Sequence, residues 1–430
     1  MKTNSLFLIL SILLLLVAGA CKEDNNVEKM TLSANSFDVA STETEITLEI
    51  NSQDNWEVSS NATWCVPDKQ KGTGKATLNI NLASNETSQE RKAVLTITDP
   101  TATLEVKVIQ SAENHYKLPV IFHVLYDNAN DGYENPQAAL LAEIIRICNQ
   151  KYANTFDDGD EGKKGLNINV EFVMATTDPN GKTLAEPGVE RIKWSTPVMS
   201  CDDFMDESNK EAIPLLWDLN KYINIFLYTF KEENVLGISY IPYASSRHPL
   251  DGLYDGDRYF ANAKMSYPHC VSINNAYIDR LPEVGLADPA DITLTLTHEL
   301  AHYIGLFHAF GVDNEEKNIS WREDTDYCDD TPNYDRKGYE DWLNTYYETT
   351  PKDKIKFSEL IKRTSITGGE FSSRNIMDYT WTWGNEFTPD QRERMRHVLN
   401  YSPLIPGPKY DQPSTRAIMD APIPPARTIK

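Results

Sequence analysis

The stretch HELAHYIGLFH at residues 298–308 decides how the larger part of the chain folds. Apolar side chains that suit a buried helix lie before and within it at Ile292, Leu294, Leu296, Leu300 and Ile304. On such a helix His298 and His302 are one turn apart and point the same way. Gly305 then lets the helix stop and the chain turn, which brings His308 to the same point. The stretch therefore predicts a helix that presents three imidazoles to one centre.

Three histidines in this arrangement are the ligand set of a zinc ion that keeps one position open for water. A bound zinc lowers the pKa of that water toward neutrality, and Glu299, beside the first ligand, can take its proton. The alternative is a core helix with solvated histidines. It would have to explain why three of the eight histidines fall within eleven residues at metal spacing. The sequence therefore predicts one catalytic Zn²⁺.

A second motif lies downstream, where Asn375–Tyr379 reads Asn-Ile-Met-Asp-Tyr. HExxHxxGxxH followed by such a methionine resembles the metzincin metallopeptidases, and within them the pappalysin family. The other segments that fit the family are Leu118–Tyr126, Ala175–Pro179, Asp326–Pro332 and Phe387–Arg392. The resemblance covers about 115–402. It implies an α/β (α+β) catalytic domain with a mixed twisted sheet, a zinc-binding helix and a Met-turn.

The resemblance also implies a role for each matching residue. The zinc ligands would be His298, His302 and His308. Glu299 would be the general base and then the general acid, Met377 would form the apolar floor below the metal, and Tyr379 would stabilise the oxyanion. A phenol donor can follow the carbonyl oxygen as charge builds there. The alternative for Tyr379 is a buried tyrosine with a satisfied hydroxyl.

The same resemblance implies a calcium site at Asp326 and Thr331, because their oxygens suit a hard cation. The alternative is a solvated acidic loop. The chain departs from the family here, since no cysteine lies between 329 and 375 to form the disulfide that often joins this loop to the segment before the Met-turn. Residues 333–370 are also longer than the usual connector. Both differences concern the wall of the substrate cleft on its primed side, where the residues after the cleaved bond would bind.

Hydrophobic patterns predict the elements around this motif. Leu118–Tyr126 is nearly continuous apolar sequence and predicts a buried strand. Asn135 and Pro136 predict the N-cap and first residue of a helix that runs to Tyr152. Further strands are predicted at 166–174 and 222–228, and a last helix opens with the capping box of Thr388, Pro389 and Gln391. Trp381 and Trp383 are candidates for lining a specificity pocket. The remaining histidines, predicted to be core or surface residues, are His115, His123, His248, His269 and His397.

Residues 30–112 alternate apolar and polar side chains between turn-rich pieces, which predicts an all-β sandwich. Trp56 and Trp64 lie within it, either as core residues, which we favour, or as a platform for sugar rings. Their spacing relative to Gly72-Thr73-Gly74 and Arg91 resembles the BACON modules. That resemblance implies a binding role, with glycans as candidate partners.

The first residues predict an export signal. Lys2 is followed by the apolar run Leu6–Ala20, which is too short to span a bilayer comfortably, and then by Cys21. This order resembles a lipobox and predicts a signal peptide over 1–20, a lipid on Cys21 and a tether over 21–29. The prediction is an outer-membrane lipoprotein of the cell envelope, attached through its lipid anchor. An ordinary secreted protein is the alternative.

The amino-acid composition limits the classes of function that the chain can have. Lys and Arg number 41 and Asp and Glu 64, for a net charge of −23, which excludes a general nucleic-acid binder. Six cysteines at wide spacing allow one or two disulfides in an oxidising compartment without fixing their pairing. Seven prolines among residues 403–430 predict an extended or disordered tail.

Two functions of different classes remain in view. The first is a zinc endopeptidase that binds peptide as an added strand at the edge of its sheet. The second is a surface adhesin or glycan-binding lipoprotein with a purely structural zinc site, which would have no use for Glu299. A narrower alternative is latency, with Cys65 of the sandwich as a thiol that blocks zinc; a buried cysteine is the interpretation we favour there.

Overall fold

The computed structural model describes residues 29–41, 44–85, 87, 89–113, 115–196, 198–256, 265–285, 287–311, 325–408 and 427–429. It divides the chain into two compact units, 1–114 and 115–430. The predicted signal peptide and the lipidation site at Cys21 lie outside the described residues. Within the described residues, no helix combines the length and the apolar character needed to cross a bilayer.

The first unit is a sandwich of two sheets. Its strands are β1 (Thr31–Leu32), β2 (Ser36–Val39), β3 (Glu45–Asn51), β4 (Asn55–Ser60), β5 (Cys65–Pro67), β6 (Lys71–Thr73), β7 (Ala76–Leu82), β8 (Arg91–Thr98) and β9 (Thr103–Gln110). One sheet has the order β1-β3-β7-β5 and the other β2-β9-β8-β4-β6. Strands such as β3 alternate exposed and buried residues along their length, as a strand with one face on a core must.

Trp56 is a core residue of this sandwich, with 1% of its surface exposed. Gly72 lies opposite it on β6, where a Cβ atom would stand 2.1 Å from the indole ring. Only glycine leaves room for the ring at this position. Trp64 is half-buried and carries the Arg91 guanidinium 4.3 Å above its ring. Cys65 is fully buried, and this burial raises the pKa of its thiol.

The second unit is built on a mixed sheet. The strands of this unit are β10 (Tyr116–Tyr126), β11 (Val170–Met174), β12 (Val189–Lys193), β13 (Val198–Met199), β14 (Ile223–Phe230), β15 (Gly237–Tyr240), β16 (Ala244–Ser245), β17 (Asp255–Gly256), β18 (Val271–Asn274), β19 (Lys362–Thr364), β20 (Glu370–Ser372) and β21 (Arg427–Ile429). The sheet has the order β11-β10-β14-β18-β15-β21, with β12 beside β10 and β13 beside β14. The strands β10, β11, β12, β13, β14 and β18 pair in parallel, whereas β15 runs antiparallel to β18. The α/β architecture predicted from sequence is therefore confirmed.

Among the described residues, six α-helices accompany the sheet. They are α1 (Ala138–Tyr152), α2 (Cys201–Met205), α3 (Ile292–Tyr303), α4 (Arg336–Thr349), α5 (Phe357–Leu360) and α6 (Pro389–Tyr401). Short 3₁₀ turns occupy Ile213–Leu215, Asn275–Tyr277 and Lys352–Lys354. Side chains of α1 bind the backbone of α3, since Cys148 Sγ lies 3.5 Å from Thr293 O and Tyr152 Oη 3.3 Å from Thr297 O.

Two helix starts test the capping predictions. The capping box at Thr388 and Gln391 is present at the start of α6. The predicted start of α1 is wrong by two residues, because Gln137 is the N-cap and Ala138 the first helical residue. Asn135 instead donates its side-chain amide to Ala129 O at 2.9 Å, which fastens the preceding loop.

The packed unit extends past the predicted boundary at 402. Leu404 and Ile405 are fully buried in the two largest apolar clusters of the unit. Residues 427–429 form β21 on the open edge of β15. The prediction of an extended or disordered tail, made from the proline-rich composition, is therefore wrong for these residues. Apolar residues between the prolines pack into the core, and a later segment forms a strand.

The five cysteines in the described part of the chain, Cys65, Cys148, Cys201, Cys270 and Cys328, are all free and all buried. Burial raises the pKa of Cys148 to about 12. Cys148 is thus a core residue, packed between α1 and α3.

Candidate active site

The helix that carries the histidine motif is buried on all sides. Each residue of α3 from Ile292 to Tyr303 is buried, so the helix passes through the interior. Asp291 caps its start by accepting hydrogen bonds from the backbone N–H and the hydroxyl of Thr293, both at 2.8 Å. Lys151 of α1 lies 3.8 Å from the same carboxylate, which balances this buried charge.

The helix ends where the motif has its glycine. Gly305 has φ +106°, a conformation that a residue with a Cβ rarely adopts, and a Cβ there would also meet Val398 at 2.6 Å. The Leu306 N–H then donates to Ala301 O at 3.0 Å and closes the last turn. This reversal brings His308 back beside α3, as the sequence predicted.

The structure brings the three motif histidines together. One ligand nitrogen of each lies within 4.8 Å of those of the other two, and His302 Nε2 is 3.0 Å from His308 Nε2. His298 and His302 each donate Nδ1–H to a backbone carbonyl, of Ile376 at 2.7 Å and of Leu306 at 2.8 Å. These bonds fix the tautomer, so that the Nε2 lone pairs face the centre of the group.

This donor set fits zinc. A tetrahedral zinc with Zn–N bonds of about 2.0–2.1 Å needs ligand nitrogens about 3.4 Å apart. His302 Nε2 and His308 Nε2 are 3.0 Å apart, and all three ligand atoms lie within 4.8 Å of one another. Backbone carbonyls accept hydrogen bonds from the far side of two of the rings, an arrangement that holds imidazoles in place for a metal. His298 and His302 are fully buried and His308 is half-buried, so the group opens to solvent on the side of His308.

Glu299 lies against the antiparallel strand β15. It is fully buried, and a Cβ atom on Gly237 would stand 2.7 Å from its Cγ and 3.0 Å from its Oε1. Glycine at the first position of β15 therefore leaves the space that the glutamate side chain fills. The carboxylate is thus held between the histidine helix and this strand.

Tyr379 closes the group on the side of His308. Its ring centroid is 4.4 Å from that of His308 and 5.6 Å from that of His298. The Arg336 guanidinium lies over the same ring, 4.3 Å from its centroid. Burial and the nearby Glu299 raise the pKa of the Tyr379 hydroxyl above its usual value, so it stays protonated and can donate.

A buried polar network fixes the backbone of Tyr379. Asp378 Oδ1 accepts the Tyr379 N–H at 2.7 Å and the Tyr334 hydroxyl at 2.5 Å. Arg363 donates to Trp381 O at 2.8 Å and lies 3.5 Å above the ring of Tyr339. The loop that carries Tyr379 is therefore tied on both sides of that residue.

Met377 is fully buried in the main apolar cluster of the unit. Its carbonyl accepts the Ala309 N–H at 3.1 Å, and the carbonyl of the preceding Ile376 is the one that binds His298. The segment around Met377 therefore holds the backbone after His308 as well as one histidine ring.

The Asp326 loop is fastened by its own polar groups. Asp326 is buried, with 4% of its surface exposed. Its Oδ1 accepts the Cys328 N–H at 3.0 Å, and its Oδ2 accepts the Thr331 hydroxyl at 2.6 Å. The prediction of a solvated acidic loop is therefore wrong for Asp326, because these contacts take the carboxylate out of water.

The other histidines lie away from the group. His123 is buried between Glu190, at 2.7 Å, and Asn224, at 2.8 Å. His269 is fully buried among tyrosine rings, and burial lowers its pKa to about 3. His397 Nε2 donates to His248 O at 2.8 Å, and His115 forms a surface ion pair with Glu171. Each is a core or surface residue, as predicted.

The two tryptophans after Tyr379 pack against the inserted segment. Trp381 Nε1 donates to the Tyr347 hydroxyl on α4, and the Trp383 ring packs edge-on against Phe357 at 4.8 Å. Trp383 also lines a small cavity beside the start of α3, with Lys151 and Asp291.

Sequence reasoning missed three residues of the site: Gly237, Arg336 and Arg363. A glycine at the start of a strand can indicate that another group approaches the backbone closely. This signal could have identified Gly237, although it does not say which group approaches. The two arginines lie in the segment that sequence analysis treated as a long connector. No local pattern links them to Tyr379, because the contacts span 43 and 16 residues of chain.

Two family models match the chain. Residues 206–400 match the Peptidase_M43 family, described as pregnancy-associated plasma protein-A, and residues 54–111 match the BACON family, described as a putative N-terminal binding domain. Both resemblances noted from sequence motifs are thereby confirmed. No curated protein gives a significant match.

Solved structures include weaker likenesses. Mature mirolysin of Tannerella forsythia, in complex with a cleaved peptide, is 24% identical over 66% of this chain and 91% of its own, with a TM-score of 0.43. A promirolysin mutant of the same organism is 22% identical over 66% of this chain and 81% of its own, with a TM-score of 0.41. These scores are too low to say more about this chain than the family models do.

Proposed function

Because residues 206–400 match the Peptidase_M43 family model, we propose that the chain is a zinc-dependent endopeptidase with Glu299 as its general base. The single observation that carries the proposal is the meeting of His298, His302 and His308 beside a buried carboxylate. A structural zinc site has no use for that carboxylate, so nothing here favours the adhesin alternative.

The three imidazoles would hold the metal through their Nε2 atoms. Zinc bound there would supply a Lewis acid that makes a water molecule nucleophilic near neutral pH and polarises the scissile carbonyl. The protein's part is to present neutral rings in fixed orientation, which the Nδ1–H bonds of His298 and His302 to backbone carbonyls support.

Glu299 would accept the proton of the attacking water and then deliver it to the leaving amine. Its burial between α3 and Gly237 supports this role, because the strand holds the carboxylate in place beside the histidine group. Tyr379 would donate its hydroxyl to the carbonyl oxygen as negative charge develops there. Met377 would keep the floor below the three rings apolar.

Peptide substrate would bind as an extended strand on the outer edge of β15. This strand is supported as the binding edge because its first residue contacts Glu299 and because it runs antiparallel to β18, with only the short β21 on its outer side among the described residues. Backbone hydrogen bonds would hold the peptide, and side-chain pockets would set the preference.

The direct test is a peptide-library digest with the purified protein, its Glu299→Gln variant and a Glu348→Gln control. Glu348 is exposed on α4, far along the chain from the motif. We expect cleavage by wild type and control, loss of cleavage in Glu299→Gln, and equal zinc content in all three by elemental analysis. A chelator should abolish cleavage, and added Zn²⁺ should restore it. Full cleavage by Glu299→Gln would refute the role of the glutamate.

Location in the cell envelope is a separate part of the proposal. It rests on the order of a positive start, an apolar run and Cys21 in the sequence. Cys21→Ser should abolish metabolic labelling with a fatty-acid analogue and release the protein from membranes. Retention of the label in that variant would contradict lipidation at this residue.

Binding of glycans and of calcium is proposed on narrower support. The BACON match supports a binding role for the sandwich, where half-buried Trp64 lies under Arg91. Glycan-array binding by the whole protein, compared with Trp64→Ala, tests it. The calcium proposal rests on the oxygen atoms that Asp326 and Thr331 offer a hard cation, and Ca²⁺ titration of wild type against Asp326→Asn by calorimetry tests it.

A further inference from the structure

The outer edge of β15 is paired with a segment of the same chain. β21 (Arg427–Ile429) runs antiparallel to β15, with Tyr240 opposite Arg427, Ser239 opposite Thr428 and Ile238 opposite Ile429. β15 would otherwise end the sheet, because its other side is taken by β18. The segment therefore adds one strand to the edge that we assign to peptide substrate.

The direction of β21 leads toward the catalytic carboxylate. The segment passes from the Tyr240 end of β15 to Ile238, and the next residue of β15 is Gly237, which contacts Glu299. A peptide bound in this way approaches the histidine group with its carboxyl-terminal side leading. β21 thus adopts the backbone arrangement expected of the part of a substrate that precedes the cleaved bond.

One edge can pair with only one strand at a time. The exposed N–H and C=O groups of an edge strand form a single row, and a strand already paired there satisfies them. A substrate that uses the same row must first displace β21. Occupancy by β21 and binding of a peptide are for this reason mutually exclusive.

We propose that the C-terminal segment 427–429 competes with peptide substrate for the outer edge of β15 and partly inhibits the enzyme. The inference rests on the proposed function, since it takes β15 as the substrate edge. Three described residues of the segment pair with β15, and a contact of this length is weak by itself. Because the segment belongs to the same chain as β15, the pairing is intramolecular, which raises the effective concentration of the segment at this edge.

Truncation after Pro408 tests the proposal without disturbing the core. Leu404 and Ile405, which are fully buried, stay in the truncated chain, so the packed unit keeps its anchor. We expect KM for a peptide substrate to fall by about three- to tenfold while kcat stays unchanged, as removal of a tethered competitor requires. A synthetic peptide of residues 420–430 should inhibit the truncated enzyme competitively.

A pair of full-length variants separates strand pairing from chain length. Thr428→Pro removes a backbone N–H within β21, and proline is poorly tolerated in a paired strand. Ser414→Pro is the control in the connecting segment, outside β21. Thr428→Pro should lower KM as truncation does, and Ser414→Pro should leave KM at the wild-type value. Equal KM in truncated, Thr428→Pro and wild-type proteins would overturn the proposal.

A binding measurement distinguishes this failure from failure of the proposed function. In the Glu299→Gln background, a fluorescent 420–430 peptide should bind the truncated protein at least threefold more tightly than the full-length protein. This readout needs no cleavage. If wild type cleaves no peptide but the binding difference holds, the endopeptidase assignment fails while the competition for the β15 edge stands. Equal binding to both lengths overturns the competition whatever the cleavage result.

Discussion

Arg363 and Asp378 form a buried ion pair behind the Tyr379 loop, with Nε of the arginine 3.6 Å from Oδ2 of the aspartate. The arginine side chain is fully buried, and 3% of the aspartate side chain is exposed. The same arginine donates to Leu360 O at 2.9 Å and to Trp381 O at 2.8 Å. The strand β19 is thereby joined to the loop that carries the candidate oxyanion donor.

Arg363→Met should destabilise the catalytic unit. Removing one partner leaves the Asp378 charge buried without its counter-charge, which typically costs about 3–5 kcal/mol. Urea unfolding followed by circular dichroism measures the loss. Combining Asp378→Asn with Arg363→Met removes the unpaired charge of Asp378. The double variant should therefore be more stable than Arg363→Met alone.

Arg146→Met is the matched control for that series. Arg146 forms an exposed ion pair with Glu143 on α1, and such pairs contribute little to stability. Its free energy of unfolding should therefore stay within about 0.5 kcal/mol of wild type. A loss in Arg363→Met no larger than in this control would contradict the importance assigned to the buried pair.

Gly237→Ala should impair catalysis while sparing the histidine group. The added Cβ would stand 2.7 Å from Glu299 Cγ, so the glutamate or the strand must move. A displacement of about 1 Å at a catalytic group can cost roughly 100-fold in rate. The measurement is kcat/KM on a peptide substrate together with zinc content.

Gly132→Ala provides the control for this substitution. Gly132 belongs to the same unit, and a Cβ there would have no heavy atom within 4 Å. The control should keep wild-type kcat/KM. Unchanged kcat/KM in Gly237→Ala would show that the space beside Glu299 is not required for activity.

The histidine group could be predicted because its information is local. His298 and His302 are one helical turn apart, and Gly305 is the residue that the reversal of the chain needs, as its φ of +106° shows. The α/β architecture followed from buried strands and one long helix for a similar reason. Such features depend on periodicity and turn chemistry, which a single sequence displays.

The supports of Tyr379 and the occupant of β15 could not be predicted in this way. Arg363 reaches Tyr379 O and Trp381 O across 16 and 18 residues, and nothing in the intervening sequence marks the contact. The segment 427–429 follows a proline-rich stretch whose composition favours an extended chain, and it becomes a strand only because β15 offers an open edge. Both depend on tertiary contacts rather than on local propensity.

His269 should make the protein lose stability as the pH falls below 6.5. Burial lowers its pKa to about 3, so between pH 6.5 and 3 the unfolded chain binds a proton that the folded protein does not. The free energy of unfolding therefore decreases on acidification by up to about 1.4 kcal/mol per pH unit in this window.

Comparison with His269→Phe isolates this contribution. Phenylalanine keeps a ring beside Tyr303, whose centroid lies 4.9 Å from that of His269, and cannot be protonated. Thermal and urea unfolding at pH 7, 5.5 and 4 should give a shallower decline for His269→Phe than for wild type. His115→Gln, at an exposed histidine, serves as control and should follow wild type. Parallel declines for wild type and His269→Phe would contradict the prediction.

Tyr379→Phe should lower kcat by about 100- to 1000-fold with little change in KM. Loss of one oxyanion donor has this size when the hydrogen bond forms mainly in the transition state. The ring contacts with His308 and Arg336 do not need the hydroxyl, so zinc content and melting temperature should stay near wild type. Tyr347→Phe, which removes only the acceptor of Trp381, is the control and should retain more than half of wild-type kcat. A Tyr379→Phe enzyme with wild-type kcat would assign this tyrosine a packing role and leave stabilisation of the oxyanion to the metal and other donors.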